Sequence, residues 1–459
     1  MLGCLVSSVG VFSQEEHKKP LPSRETTTEE RVRKTAGESQ LQAALAPEVL
    51  VTFAQILADP DNIDLNFRYA QTQVAQGDLL GASATLERVL LIKPELPQIR
   101  LYYGLVLLRL NNLEEAEREL RAVSAYDMPP PLRQEVDSYL RAIRLSRKRT
   151  RLSSSFALGF QFDTNRNAAP SSKQRLSSDI PLGLTGTNRK RRDTSLLVIH
   201  TLDLMHDLGF QAGHQLLGSF TYYLGEQTVV DDLDLQSFSL EAGGLIKTPW
   251  ADLTPKGVVT HTALSRETYL RTQGVTLSCE RKLTPRWEMT LEGGWAREDF
   301  SGISEYEAAL ERTGGRSTVN FGTSYLVMPT MKLGSEIGYE NKTAKADYQA
   351  YDALELEGTH TWILPKGQFF LNTLTYEFDD YDRPDFAISG KTRRDHQLCV
   401  RVLYGLPVFL LLQRVLPEPV LRDTTATFSF EQLRSLSSIT NYTYSNSKFT
   451  FMMIKKTEF

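Results

Sequence analysis

Two periodicities divide the chain. From about Pro47 to Arg149 the apolar positions recur at the spacing of one face of a helix. From about Arg151 onward they recur at every second position. Phe156, Leu158, Phe160 and Phe162 alternate with Ser155, Ala157, Gly159 and Gln161. Trp287, Met289, Leu291, Gly293 and Trp295 oppose Glu288, Thr290, Glu292 and Glu298, and Leu354, Leu356 and Trp362 oppose Glu355, Glu357 and Thr359. Such alternation gives each strand one apolar and one polar face. The runs predict an antiparallel transmembrane β-barrel of about fourteen strands of roughly ten or more residues, long enough to cross a bilayer when tilted. The weakest strand is Trp250–Thr262, where Pro255 is expected to shorten the strand or delay its start.

The connections agree with a barrel. Those after the second, fourth, sixth, eighth and tenth strands are tight: Asp207–Gly213, Lys247–Trp250, Leu283–Arg286, Met328–Thr330 and Leu364–Gly367. After odd-numbered strands they are often long and polar, notably Thr164–Arg192, Ser301–Gly315 and Asp380–Lys391. Short turns on one side and long loops on the other are the outer-membrane arrangement, with the short turns in the periplasm. That parity puts the barrel's N-terminal end, and the helical segment before it, in the periplasm. The apolar stretch Leu406–Val420 is long for a periplasmic turn.

Within the helical part a repeat appears at a spacing of ~34 residues, the tetratricopeptide period. Tyr69 aligns with Tyr103, Ala70 with Gly104, Gly77 with Asn111, Ala82 with Ala116, Leu86 with Leu120 and Val89 with Val123. The small residues belong where two antiparallel helices touch. Gly77 and Asn111 suit the left-handed conformation that ends the first helix of each pair. Two repeats and a flanking helix, Pro131–Arg149, make a short α-helical solenoid, whose concave face commonly takes an extended peptide. The organisation is therefore an α+β multidomain chain: a signal-like leader over 1–13, a disordered linker over 14–46, a tetratricopeptide-type domain over 47–149 and a barrel over 151–459. The leader has an apolar run and small residues at Val11 and Ser13 but lacks a positively charged start, the pattern of a truncated or degenerate signal peptide.

Composition narrows the function. Lys and Arg total 52 against 56 Asp and Glu, a net charge of −4, which argues against a nucleic-acid partner. Apolar residues are 41% and mean hydropathy is −0.30, too polar for a bundle of membrane helices. Cys279 and Cys399 fall in separate strands and are expected to stay unpaired, while Cys4 lies in the leader.

Candidate chemistry is sparse. Asp163, Asn165 and Asn167 have the spacing that opens a calcium loop, but Ala168 and Gln174 stand where such a loop needs glycine and glutamate. A turn rich in Asn and Asp, or a substrate contact, fits them better. The basic run Asn188–Arg192 suits a lipopolysaccharide-facing edge or a docking patch. His200 and His206 are ~20 Å apart along a strand, too far to share a metal. No catalytic triad, Cys-x-x-Cys or phosphate loop is present, so no enzyme, cofactor or metal site is expected. Glu288, Glu292, Glu355 and Glu357 are expected to line a pore. On the solenoid's inner face Phe67, Gln71 and Arg109 occupy positions that commonly touch ligand, and packing or solvation alone would account for them equally well.

A tetratricopeptide segment ahead of a barrel of this size resembles the surface lipoprotein assembly modifier (Slam) family. The likeness runs from about Pro47 to Phe459. Its most family-like stretches are Gly159–Pro170, where the first strand enters an Asp-x-Asn-x-Asn-x-Ala-Pro loop, and Asn441–Phe459, which looks like the family's final hairpin. The terminal Phe459 also resembles the signal read by the barrel-assembly machinery. The resemblance implies a Gram-negative outer-membrane translocator that helps substrate proteins, mostly surface lipoproteins, reach the cell surface. The helical domain would collect the substrate or its periplasmic chaperone, and the barrel, set in outer-membrane lipid, would supply the path without ATP. A transient opening between the first and last strands would let a lipid anchor pass. Exopolysaccharide export is the second reading, since some export porins also join tetratricopeptide repeats to a barrel. A barrel lipase or protease ranks third for want of a site.

Overall fold

A computed structural model describes residues 51–459 apart from 211, 305, 413–420 and 422. The expected leader and linker lie outside the described residues.

The helical unit contains α1 (Phe53–Ala58), α2 (Ile63–Ala75), α3 (Leu79–Ile92), α4 (Pro97–Arg109), α5 (Leu113–Ser124) and α6 (Pro130–Arg147). Local chemistry sets the boundaries. The Asn62 side chain accepts from the Leu65 N–H at 3.0 Å and that of Asp78 from the Gly81 N–H at 2.9 Å, satisfying donors that a helix start leaves orphaned. Pro97 opens α4, where its missing N–H costs nothing. Gly77 and Asn111 both take left-handed φ, +85° and +59°, at the turns the repeat predicted. The aligned positions Ala70, Ala82, Leu86, Ala116 and Leu120 are fully buried and form one core with Val89, Val106, Val123, Tyr139 and Ile143.

The strands are β1 (Thr150–Asp163), β2 (Gln174–Ser177), β3 (Ile180–Gly183), β4 (Asp193–Asp207), β5 (Gln215–Gln227), β6 (Leu235–Lys247), β7 (Asp252–Leu264), β8 (Glu267–Thr284), β9 (Trp287–Phe300), β10 (Gly314–Met328), β11 (Met331–Lys342), β12 (Tyr351–Ile363), β13 (Phe369–Tyr381), β14 (Arg394–Pro407), β15 (Thr424–Ser437) and β16 (Tyr444–Glu458). All but β2 and β3 form one closed antiparallel barrel of 14 strands. Closure is between β1 and β16, in register from Ser153↔Glu458 to Asp163↔Lys448. Gly159 lies on this seam because a Cβ there would collide with the Phe451 carbonyl oxygen and the Met452 sulfur.

Alternation decides which face is which. Phe160 is 56% exposed while its neighbour on the lumenal face, Asp163, is 1% exposed. Phe156, Phe162, Leu240, Val275, Leu291, Trp295, Val319, Ile337, Leu356 and Phe449 share the outer surface. An apolar belt this extensive is unsuited to water, and lipid is the solvent that covers it. Among the described residues no helix is long and apolar enough to cross a membrane.

Three details depart from expectation. Strand β7 starts at Asp252, ahead of Pro255, rather than being shortened by it. The ladder to β8 runs through Pro255↔Leu277, whereas the ladder to β6 jumps from Gly243↔Lys256 to Ile246↔Leu253. The proline thus occupies a gap in one ladder, where its absent N–H is not needed. The first long loop carries its own hairpin, β2–β3, which its sequence did not announce. The apolar connection after β14 includes a short helix, α7 (Phe409–Leu412), and Leu406, Val408 and Leu421 pack with Ala426 against Tyr404 and Phe451. Cys279 faces outward on β8 and Cys399 inward on β14, so no disulfide joins them.

Candidate functional site

The lumenal wall is built by parity. Register places Glu288, Glu292 and Glu298 of β9, Arg316 of β10, Glu336, Glu340 and Lys342 of β11, and Glu355 and Glu357 of β12 on the inner face. The four carboxylates expected to line the pore are among them. Lys342 Nζ contacts Glu298 Oε2 at 2.7 Å, and Arg316 contacts Glu340 at 2.6 Å and Glu298 at 3.8 Å. The Tyr351 hydroxyl donates to Glu340 at 2.9 Å. Farther round, Glu431 of β15 accepts from Arg401 of β14 at 2.7 Å and from Lys448 of β16 at 2.9 Å. Glu336 stands opposite Glu357, and Glu355 opposite Glu377. Carboxyl groups paired across strands weaken a sheet wherever both are ionised. A wall that keeps them trades stability for a strongly polar, partly acidic lining.

Sequence reasoning missed the ion clusters. Arg401, Glu431 and Lys448 are scattered in the chain, and only the register of three adjacent strands brings them together. Each does carry the lumenal parity of its own strand, a signal that becomes usable once pairing is known.

The first loop shows what the Asp163, Asn165 and Asn167 motif does. Asp163 Oδ1 accepts the Asn165 N–H at 3.0 Å, and the Arg166 guanidinium lies 3.8 Å from Oδ2. Asn165 also donates its N–H to Asn446 Oδ1 at 2.9 Å, exchanges two bonds of 3.0 Å with the Ala169 backbone and donates to the Ser445 carbonyl at 3.2 Å. Asn167 donates to the Arg189 carbonyl at 2.7 Å and accepts the Arg191 N–H at 3.0 Å. The asparagine side-chain oxygens therefore meet N–H donors, the wrong polarity for a cation cage. The motif knots loop 164–192 to itself, to the basic run at its end and to β16.

The same loop crosses the closing seam. The Thr164 hydroxyl donates to Asn446 Oδ1 at 3.1 Å, Asn441 brackets the backbone of Leu176 in β2, and the Ser171 N–H donates to the Thr443 carbonyl at 2.9 Å. Beyond the final loop it reaches segment 382–393. There the Ser178 and Asp179 N–H groups donate to Ala387 and Ile388, and Asp179 accepts from the Ser389 hydroxyl and the Gly390 N–H. Those donors hold the Asp179 carboxyl below its ordinary value of 3.8, the Ser389 hydroxyl contributing most.

His200 and His206 face outward on β4. Each meets a β1 hydroxyl, Ser154 at 3.0 Å and Thr150 at 2.8 Å, and they share no ligand. Among the described residues no three His, Cys, Asp or Glu side chains gather as a metal cage.

In the helical unit Phe67 of α2 packs edge-on against Tyr102 of α4, with ring centroids 5.4 Å apart. Arg109, at the end of α4, lies near enough to Tyr102 to offset part of the rise that burial imposes on its phenol. Gln71 is buried one turn beyond Phe67. Phe67 and Arg109 thus converge on one tyrosine, which no periodicity singled out.

The helical segment matches the tetratricopeptide repeat family model over residues 74–134. A comparison with curated protein sequences returns no match. Among solved structures, the chain is similar to the type III secretion translocator chaperone SycD of Yersinia enterocolitica at 22% identity and a TM-score of 0.19, covering 20% of this chain and 66% of that one. It is similar to SycD in complex with a peptide of the translocator YopD at 21% identity and a TM-score of 0.20, covering 21% and 76%. It is also similar to OccAB3 of Acinetobacter baumannii at 10% identity and a TM-score of 0.34, covering 67% of this chain and 99% of that one.

Proposed function

We propose that this chain is an outer-membrane protein translocator of the surface lipoprotein assembly modifier type, with the barrel as the path and the tetratricopeptide unit as the periplasmic collector of substrate. The observation that carries this reading is the union, in one chain, of tetratricopeptide-repeat helices with a closed barrel that is apolar outside and charged within. Topology supports the orientation: β1 starts at the end of the barrel where most of the short connections lie, the end that faces the periplasm in outer-membrane barrels. In this reading the chain makes and breaks no covalent bond. Substrate binding and folding outside the cell drive the transfer.

The test is surface exposure. The chain is co-expressed with lipoprotein genes of its own genome in an outer-membrane host, and intact cells are treated with protease. A lipoprotein that becomes cleavable only when the barrel is present supports translocation and identifies the substrate. Full protection of every lipoprotein, with the barrel folded and inserted, shifts the reading to polysaccharide export.

A further inference from the structure

Asp379 of β13 and Asp395 of β14 are direct register partners on the lumenal face, beside segment 382–393. They are 5% and 1% exposed. One oxygen of each is satisfied: Asp379 Oδ2 accepts from Gln397 Nε2 at 3.2 Å, and Asp395 Oδ2 from Arg393 Nε at 2.7 Å. The other oxygen, Oδ1 in both, is buried with no hydrogen-bond partner. Buried carboxylate oxygens normally find donors, because nothing else compensates the water they lose. Two side by side on neighbouring strands also repel one another.

The nearest cation does not resolve this. Arg393 is held between the rings of Tyr381 and Tyr442, at 4.4 Å and 3.5 Å, with its fork turned to Asp395 Oδ2. One guanidinium faces two carboxylates, and Glu377, next along the inner face of β13, places a third carboxyl group nearby. What the pair lacks is a second positive charge that accepts oxygen ligands from both strands.

We propose that Asp379 and Asp395 together hold a hard divalent cation, calcium or magnesium, through their two Oδ1 atoms, with water completing the shell. Oxygen-only donors select this class over zinc or copper, and hard cations are commonly held by one or two carboxylates plus water. The ion ties β13 to β14 at the rim where the Asp179 clasp lands, and so fixes the outer mouth of the barrel.

The experiment uses the purified full chain in detergent, stripped with a chelator and titrated with terbium. Luminescence is excited through the tyrosines, of which Tyr381 and Tyr442 flank the site. Saturable luminescence, competed away by calcium or magnesium and lost in the D379N/D395N double variant, is the expected result. The heat-unfolding midpoint of the wild-type barrel should also fall on chelation and return with whichever of the two ions is native. No saturable signal in the wild type, or a signal that the double variant keeps, overturns the proposal. So does a midpoint that responds to acidification but to neither cation, since a shared proton then bridges the pair. Should the double variant not fold, D379N alone serves: unchanged terbium affinity in it is equally fatal.

Discussion

Asn165 and Asn446, separated by 281 positions, are joined by a 2.9 Å hydrogen bond from the backbone N–H of the first to the side-chain oxygen of the second. The bond crosses the seam at which the barrel closes. Asn165 makes four further bonds around it, so one buried side chain organises both the first loop and the start of the last strand.

Replacing Asn165 with alanine strands the Ala169 N–H and the Ser445 carbonyl. The expected cost is about 1–3 kcal/mol. Denaturant unfolding of the detergent-solubilised barrel measures it, and a midpoint equal to wild type would count against the knot as a stabilising element.

The seam offers a direct test of lateral opening. Gln161 Nε2 donates to Thr450 Oγ1 at 3.1 Å across β1 and β16. A Q161C/T450C pair, in a chain whose Cys279 and Cys399 are replaced by serine, should form a disulfide that locks these strands. If substrate leaves through the seam, oxidised cells stop exporting and reductant restores export. Undiminished export by the locked barrel would instead send the substrate through the lumen.

Glu431 serves Arg401 and Lys448 together, and all three side chains are 12–13% exposed. Removing a shared buried charge leaves two cations facing each other, so E431Q should destabilise by on the order of 3 kcal/mol. R401M, which leaves Glu431 paired with Lys448, should cost less. Equal losses in the two variants would show that the lumen solvates these groups well enough to make the pairing irrelevant.

The Asp179 clasp predicts a pH response. Its carboxyl is held below 3.8 in the folded state, by the Ser389 hydroxyl first and the Gly390 N–H second. A depressed folded value means that the clasp's contribution is complete above the ordinary carboxylate range and is lost as pH falls through the lowered value. Limited proteolysis of segments 164–192 and 382–393 should therefore be steady at neutral pH and rise in strong acid. D179N should remove that step and leave both loops open to protease at every pH.

How much of this was legible depends on where the information lies. Lipid on one side and polar lumen on the other impose strict alternation, so strand parity and the tight turns around Pro249, Pro285, Pro329 and Pro365 could be read directly. The helical repeat was legible for a similar reason: small residues such as Ala82 and Ala116 mark contacts that recur. Pro255 misled because proline forbids a donor, not a strand, and a gap on one side of β7 absorbs it. The Glu431 cluster, the Asp379–Asp395 pair and the ties from loop 164–192 to Asn446 and Ser389 were illegible. They depend on the register of strands and loops far apart in the chain, and no local pattern encodes that.

The tie across the seam has a temporal meaning as well as a mechanical one. Asn446 cannot meet Asn165 until every intervening strand has been laid down and the sheet has curled back on itself. The contact is among the longest-range in the molecule, and such contacts form late because the chain between them must be ordered first. Its formation therefore marks completion: a barrel stalled at thirteen strands, or closed in a shifted register, leaves Asn165 and the first loop unanchored. The loop then becomes a visible flag of unfinished assembly, open to any protease that surveys the membrane surface.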